Sequence, residues 1–410
     1  MTTNNKNIDK QGKKLLNVPN LRFPEFEGEW EDTTIANVAT VVGGGTPETS
    51  IKEYWDGDII WFTPSEIGKK KYVAYSERTI SCEGMNNSSA KLLPIGTILL
   101  STRATIGEAS IATQSCCTNQ GFQSLIANEN INNEFLYYLI ATKRKDLLRK
   151  SCGSTFLEIS AKEIRKIKIR YASYEEQSKI ARFLALIDER IATQSRIIED
   201  LRSLKIYIHN RVFSKGNTLL GQRNSIRLSD VATKITRKNK GNTIINVLSN
   251  SATMGIVPQA KVFDKEIANE DNTANYYVIE KGNFVYNPRK SAQAPFGPIN
   301  MYKGQVEGII SPLYLCFQVT DINKNYLLHY FMSSAWYSYI YSNGDTGVRH
   351  DRVSIKDETF LDMPLYIHTV DKQQEIARMM DQIDAKIDLE ELYLTKLQKQ
   401  KDYLLEAMFV

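Results

Sequence analysis

Cysteine is scarce in this chain and carries no pattern. The 410 residues hold five, Cys82, Cys116, Cys117, Cys152 and Cys316, an odd number with no C-x-x-C spacing and no secretory leader ahead of them. A disulfide framework is therefore not expected, and reduced thiols in a cytoplasmic protein are. Histidine is scarcer still: His209, His329, His350 and His368 form no i, i+4 pair and no ligand cluster, so no structural metal is expected. No run approaches the roughly 18 apolar residues of a membrane span. None of the eleven prolines precedes Asp or a second Pro. That removes the Pro-Asp start of a common nuclease motif and the Asn-Pro-Pro-aromatic motif of adenine methyltransferases, Asn287-Pro288-Arg289 being the nearest approach. A G-x-x-x-x-G-K-[ST] phosphate loop is also absent. No nucleophile, metal set or acid-base pair can be assembled, and the expectation is a non-catalytic chain.

What is present is ample material for packed cores, with 42% hydrophobic residues and a length that suggests two or three domains. The net charge of +5 leans towards an anionic partner without identifying one. Residues 1–17, polar and Lys-rich, are expected to be a disordered tail.

The chain is organised around a repeat. Residues 175–213 recur as 371–410 at a constant offset of 196: Gln177 matches Gln373, Ile180-Ala181-Arg182 matches Ile376-Ala377-Arg378, and Ile187-Asp188 matches Ile383-Asp384. Leu201, Tyr207 and Phe213 match Leu397, Tyr403 and Phe409 in the same register. Each copy carries an apolar seam stepping by four and three. Its central positions are Ile187, Ile191, Gln194, Ile198, Leu201 and Lys205 in the first, and Ile383, Ile387, Glu390, Leu394, Leu397 and Lys401 in the second. A 3.5-residue repeat this long, with no Pro or Gly inside, predicts two coiled-coil helices, each spanning roughly 60 Å. The polar interruptions fall at matching places. An antiparallel register with Lys205 beside Glu390 and Gln194 beside Lys401 satisfies all four; alternatively these residues are simply solvated.

Between the helical copies lie two β-rich regions of one plan, 18–170 and 222–367. Val231-Ala232-Thr233 echoes Val38-Ala39-Thr40, Asn287-Pro288-Arg289 echoes Ser101-Thr102-Arg103, and Gly344 echoes Gly153, with an offset drifting between about 186 and 196 as loops change length. Residues 96–103 read as β-rich, 123–127 and 164–169 as strands, and 133–145 as a short helix. The expected fold class is α+β: two similar mixed α/β domains separated by two long helices that pack antiparallel about a pseudo-two-fold. The chain order of domain, helix, domain, helix requires the second helix to run back along the first.

At this point the chain resembles the specificity subunits of type I DNA restriction-modification enzymes, over nearly everything from Val18 to Val410. The resemblance rests on the lead-in LRFPEFEGEWE (21–31), Gly45-Thr46-Pro47 with Trp55-Asp56-Gly57-Asp58-Ile59, the Gly153-Ser154-Thr155 loop, and both Gln-x-x-Ile-Ala helix openings. The chain departs from the family in lacking a proline at Tyr171 to Tyr174 and in carrying Lys372 before Gln373. The resemblance implies that each β-rich domain is a target-recognition domain reading half of a bipartite, asymmetric site in double-stranded DNA. It implies that the helical pair sets the spacing and docks two modification subunits and restriction/translocase subunits. S-adenosylmethionine, ATP and magnesium would then belong to those partners, with no cofactor on this chain.

Readout needs donors on loops, and cations against phosphate. The first domain offers Lys69, Lys70, Lys71, Thr102, Arg103, Asn119, Gln120, Ser154 and Thr155; the second offers Arg237, Lys238, Lys240, Arg289, Lys290, Arg349 and Arg352. The plainer readings stand beside these: a solvated lysine turn at 69–71, a structural ion pair at Arg103, and neutralisation of Arg349 or Arg352 by Asp351. Gly43 to Gly45 suits either close approach to a phosphate or a tight turn. The aromatic run from Trp336 to Tyr341 suits either base stacking or a packed helix face. The alternative function is a coiled-coil interaction scaffold without nucleic acid.

Overall fold

The computed structural model describes residues 17–103, 105–152, 157–214, 221–261, 270–345 and 351–410. The chain divides into two units: one takes the chain up to Gln194 together with Tyr393–Val410, the other Ser195–Leu392.

In the first unit the strand Ile98–Leu100 shows how side-chain alternation builds the domain. All three residues are fully buried, yet Ile98 and Leu100 point into the larger core with Phe135 and Leu136, while Leu99 points into a second core with Phe62 and Phe122. A strand covered on both faces needs apolar residues at every position, as the sequence here supplies. Its sheet has five strands in the order Ala39–Gly43, Gln123–Ala127, Ile98–Leu100, Ala109–Ala112, Tyr72–Val73, antiparallel but for the last pair. A three-stranded sheet sets Trp55–Phe62 between Thr79–Ile80 and Cys116–Thr118. Where the domain begins and ends, Glu31–Thr34 pairs antiparallel with Lys168–Tyr171.

The second unit repeats the device. Phe284 and Tyr286 enter the larger core and Val285 the smaller. Its four-stranded sheets run Ala232–Lys234, Leu315–Val319, Phe284–Tyr286, Ile299–Met301 and Gly255–Pro258, Val247–Ser251, Gly308–Ile310, Tyr277–Ile279. Asn224–Arg227 closes on Pro364–Ile367.

The first long helix is Tyr174–Phe213 and the second Val370–Met408. Within the first unit Asp188 pairs with Lys401 at 2.6 Å while Ile180 and Leu184 share a core with Leu404, Ala407 and Met408, so the two segments run antiparallel. Within the second, Arg202 bonds Glu391, Lys205 pairs with Asp384, and Val212 and Phe213 share a core with Ile376, Ala377 and Met380, again antiparallel. The central seam positions are all buried or half-buried. Each helix ends in a phenylalanine plug: Phe409 lies 5.3 Å from Phe135 in the first unit, and Phe213 lies 5.3 Å from Tyr326 in the second.

The seam register differs from the one expected. Lys205 meets Asp384 rather than Glu390, and Lys401 meets Asp188 rather than Gln194, while Lys386 pairs with Glu390 along the helix. Both aspartates directly follow a seam isoleucine, so each lysine keeps its stem on the apolar stripe and finds a full countercharge. Because 188 and 384, like 205 and 401, are repeat mates, one Lys–Asp pair occurs in each unit with the helices' roles exchanged. The solvated alternative fails for Gln194, which is 5% exposed.

Two other expectations change. Residues 164–169 are not one strand: Ala161–Arg165 is a helical turn whose Ser160 hydroxyl accepts from the Glu163 amide, and only Lys168–Tyr171 extends. A Ser-x-x-Glu start outweighs local alternation. The helix at 133–145 stops at Thr142, and Arg144–Arg149 forms a separate one.

Candidate nucleic-acid interface

The helix-opening glutamines have a shared task. The Gln177 side-chain carbonyl accepts from the Asn132 amide at 2.9 Å and its amide donates to the Ala172 carbonyl at 2.9 Å. Gln373 does the same with the Asn323 amide at 3.0 Å and the His368 carbonyl at 2.9 Å. Asn132 and Asn323 each cap a helix of their domain, Asn133–Thr142 and Lys324–Met332. Both glutamines are 1% exposed or less, so each long helix is locked to the domain it follows. Arg22 of the lead-in adds a two-pronged contact to buried Glu176, 2.8 and 2.7 Å.

Of the first domain's candidate contacts, the structure removes several. Lys71 turns inward, donating to Glu134 at 2.9 Å and to the Tyr138 hydroxyl at 3.0 Å, with its side chain 9% exposed. Tyr138 in turn donates to Asp188, and burial, then that bond, pushes its pKa far up. Lys71 is thus committed to a network that reaches the Asp188–Lys401 pair. Thr102 is fully buried, its hydroxyl donating to the Gly121 carbonyl at 3.0 Å, so it holds a loop. Asn119 accepts from the Gly121 amide at 2.8 Å as a turn residue. Arg103 adopts the ion-pair reading, 3.0 Å from Glu158. Lys69, Lys70 and Gln120 stay exposed, Gln120 accepting the Thr46 hydroxyl. Ser154 and Thr155 lie outside the described residues.

The glycine loop resolves in favour of packing. A Cβ on Gly44 would collide with the carbonyls of Thr118 and Asn119, and one on Gly45 with Ser89 and Ala90. These glycines admit a neighbouring backbone. The aromatic run at 336–341 divides: Tyr337 packs on Phe296 and Trp336, whereas Tyr341 is 71% exposed.

In the second domain Arg237 is held by Glu280 at 3.0 Å and Glu307 at 2.6 Å, and its hydrogen bond holds the Glu307 carboxyl below the usual range. Two carboxylates thus share one guanidinium, whose side chain stays 55% exposed. Lys238 and Lys240 are exposed, Lys238 reaching Asn275 at 3.5 Å. Arg349 lies outside the described residues.

Arg289, Lys290 and Arg352 are brought together. Arg289 and Arg352 face each other across an isolated antiparallel bridge, and the Lys290 amide donates to the Asp351 carbonyl at 2.9 Å. Asp351 approaches Arg352 only to 3.7 Å, with both side chains partly solvated. The first domain builds the same bridge with Arg103 opposite Glu158. One backbone feature therefore carries opposed charges in one domain and like charges in the other. The like-charged version gathers cationic donors that an anionic acceptor would relieve.

One group was not legible in the sequence. Arg78 seats its guanidinium 3.6 Å from the centre of the Trp55 ring and 5.7 Å from that of Trp61, the two indoles packing edge to face at 5.2 Å. Arg78 follows no basic run, and only the pairing of Ile60 with Thr79 brings it over the tryptophans.

Among the described residues no group of three or more His, Cys, Asp or Glu side chains could hold a metal ion, and no helix is long and apolar enough to cross a membrane. Burial pushes the thiols of Cys116, Cys117 and Cys316 up to about 12, 11 and 12, well outside the nucleophilic range.

Comparison with known proteins agrees with this architecture. A family model described as the type I restriction modification DNA specificity domain matches twice, at residues 27–203 and 224–399. The chain is 38% identical over 189 residues to the MjaIX type I restriction enzyme specificity subunit of Methanocaldococcus jannaschii, covering 45% of this chain and 44% of that protein. It is 31% identical over 175 residues to the EcoR124I/EcoR124II specificity subunit of Escherichia coli, covering 41% and 43%. Each alignment thus spans less than half of the relative. In fold, the chain is similar to the S subunit of a type I restriction-modification system from M. genitalium, with a TM-score of 0.52 at 16% identity over 96% of this chain and 99% of that one. A second solved structure, from work on complex assembly and conformational transition of the type I R-M system, gives 0.59 at 16% identity over 93% and 98%.

Proposed function

The chain belongs to the type I restriction modification DNA specificity domain family, and on that premise we propose that it is the sequence-reading subunit of a type I restriction-modification complex. Each domain reads one half of a bipartite, asymmetric site in double-stranded DNA, and the paired helices set the interval between halves. Methyl transfer from S-adenosylmethionine and ATP-driven, magnesium-dependent translocation and cleavage fall to two modification subunits and to restriction subunits docked on this chain. The complex works in the cytoplasm, where its DNA is.

The observation that carries this reading is a pair of domains built alike but charged differently at an equivalent loop bridge, Arg103–Glu158 in one and Arg289–Arg352 in the other. Two dissimilar readers on one repeated frame suit a site whose halves differ. The test is to co-express the chain with modification subunits and map the methylated motif, then to exchange residues 226–365 for the corresponding domain of a relative. One half-site should change and the other persist. A change in both halves would overturn modular reading, and the absence of any motif would favour a scaffold without nucleic acid.

A further inference from the structure

In the first domain, the loop cation that answers Arg289 is neutralised by Glu158 and Lys71 is turned inward, which leaves open how this domain presents a directional donor. Arg78 has the required properties. Its backbone is pinned: the Arg78 carbonyl accepts from the Trp61 amide at 3.2 Å and from the Ser76 hydroxyl at 2.6 Å. Its guanidinium lies against the Trp55 indole, and that ring is fixed in turn, the indole N–H donating to the Glu48 carbonyl at 3.2 Å. Trp61, edge-on to it, donates to the Gly45 carbonyl at 2.9 Å. Residues 45–48 therefore anchor both indoles, and Thr46 between them holds the exposed Gln120.

Stacking occupies the face of a guanidinium and leaves its N–H donors, all in the plane, at the rim. The Arg78 side chain is exposed, and its guanidinium makes its contacts with the two indoles. The donors of a charged, orientation-locked fork are thus unspent. A fork held in one plane suits a partner with two adjacent acceptors: two phosphate oxygens offer such a pair without sequence information, whereas guanine offers one through O6 and N7 on the flat edge it presents in the major groove. Holding the fork in advance also lowers the ordering cost on binding.

We infer that Arg78, seated on Trp55, is a specificity-determining residue of the first domain that donates a bidentate pair to a guanine edge in its half-site. This rests on the DNA-reading function proposed above and adds a named residue and base class to it.

The experiment compares wild type, Arg78→Lys and Arg78→Ala, each as the full chain co-expressed with modification subunits, by the methylated motif and by binding of the duplex that wild type selects. Arg78→Lys keeps the charge and loses the fork. It should relax one base pair in the first domain's half-site, with discrimination there falling roughly tenfold to a hundredfold while the other half-site is untouched. Trp55→Phe retains a ring in the core and weakens the stack, and should relax the same base pair to a smaller degree. An unshifted thermal midpoint in Arg78→Lys shows that the loss is not one of folding. A uniform loss of affinity with the motif intact, together with a salt slope about one contact shallower in Arg78→Ala, would make Arg78 a phosphate contact and overturn base reading. An unchanged motif and affinity in both Arg78 variants, with a motif present in wild type, would overturn the inference and leave the function standing; no motif in wild type would overturn both.

Discussion

At the scale of residues, buried side chains do more to define this protein than exposed ones. Gln177 and Gln373 each satisfy an amide and a carbonyl that would otherwise be stranded where a long helix meets a domain. Gln177→Ala or Gln373→Ala should cost about 1–3 kcal/mol each in chemical denaturation, since the buried groups lose their partners without gaining water. A second residue-scale prediction concerns His209 and His329 in the second unit. His329 Nε2 lies 3.0 Å from Asp381 and donates to it, so its Nδ1 accepts from His209 Nε2 at 3.1 Å. Both rings are then neutral. Burial, then the cost of placing a second cation beside His329 and Lys205, takes the His209 pKa down to about 3, and burial outweighs the opposing pull of Asp381 on His329. The unfolded chain, with histidines near 6.5, binds more protons below that pH than the folded one, so this stability is complete above about pH 6.5 and is lost as pH falls towards 3. The thermal midpoint should drop between pH 7 and pH 5, and His209→Gln should make that drop shallower. An equally steep drop in the variant would count against the pair as its source.

At the scale of elements, each unit combines its apolar helix core with one Lys–Asp contact, and the two sorts of interaction differ in what they contribute. Leu397 is 4% exposed, and Leu397→Lys should lower stability by roughly 3 kcal/mol or more, because an unpaired charge enters an apolar seam. Lys205 and Asp384 keep 20% and 32% of their side-chain surface, so solvent screens their attraction. A double-mutant cycle with Lys205→Met and Asp384→Leu should show a coupling of roughly 1 kcal/mol or less, the pair setting register more than strength. A coupling as large as the Leu397→Lys effect would reverse that ranking.

At the scale of the whole molecule, DNA affinity should track the cations that no carboxylate holds at close range. Binding should weaken linearly in log affinity against log salt, and Arg289→Gln with Arg352→Gln should lessen the slope by roughly one to two. Arg237→Gln should leave it as it was, since Glu280 and Glu307 already neutralise that side chain. Equal effects from both sets, measured by titration of a duplex at several salt concentrations, would mean that the protein's own ion pairs open on binding.

The sequence by itself determined the repeat, the helical seam and the two-domain plan, because periodicity of three and four, or of two, is a property of local backbone geometry and reads directly from the order of residues. It also carried the helix-opening glutamines as repeated letters, although not their purpose. Which cation is free was decided only by the tertiary structure. Lys71 and Arg237 look as available in the chain as Arg289, yet their partners Glu134 and Glu307 lie far along the sequence and reach them only through sheet pairing and helix packing. The register of the lysines was equally hidden, since several slides bury the same isoleucines and only the position of Asp188 and Asp384 beside the seam selects one. Charge is spent between residues that folding brings together, whereas the pattern that causes the folding is written between neighbours.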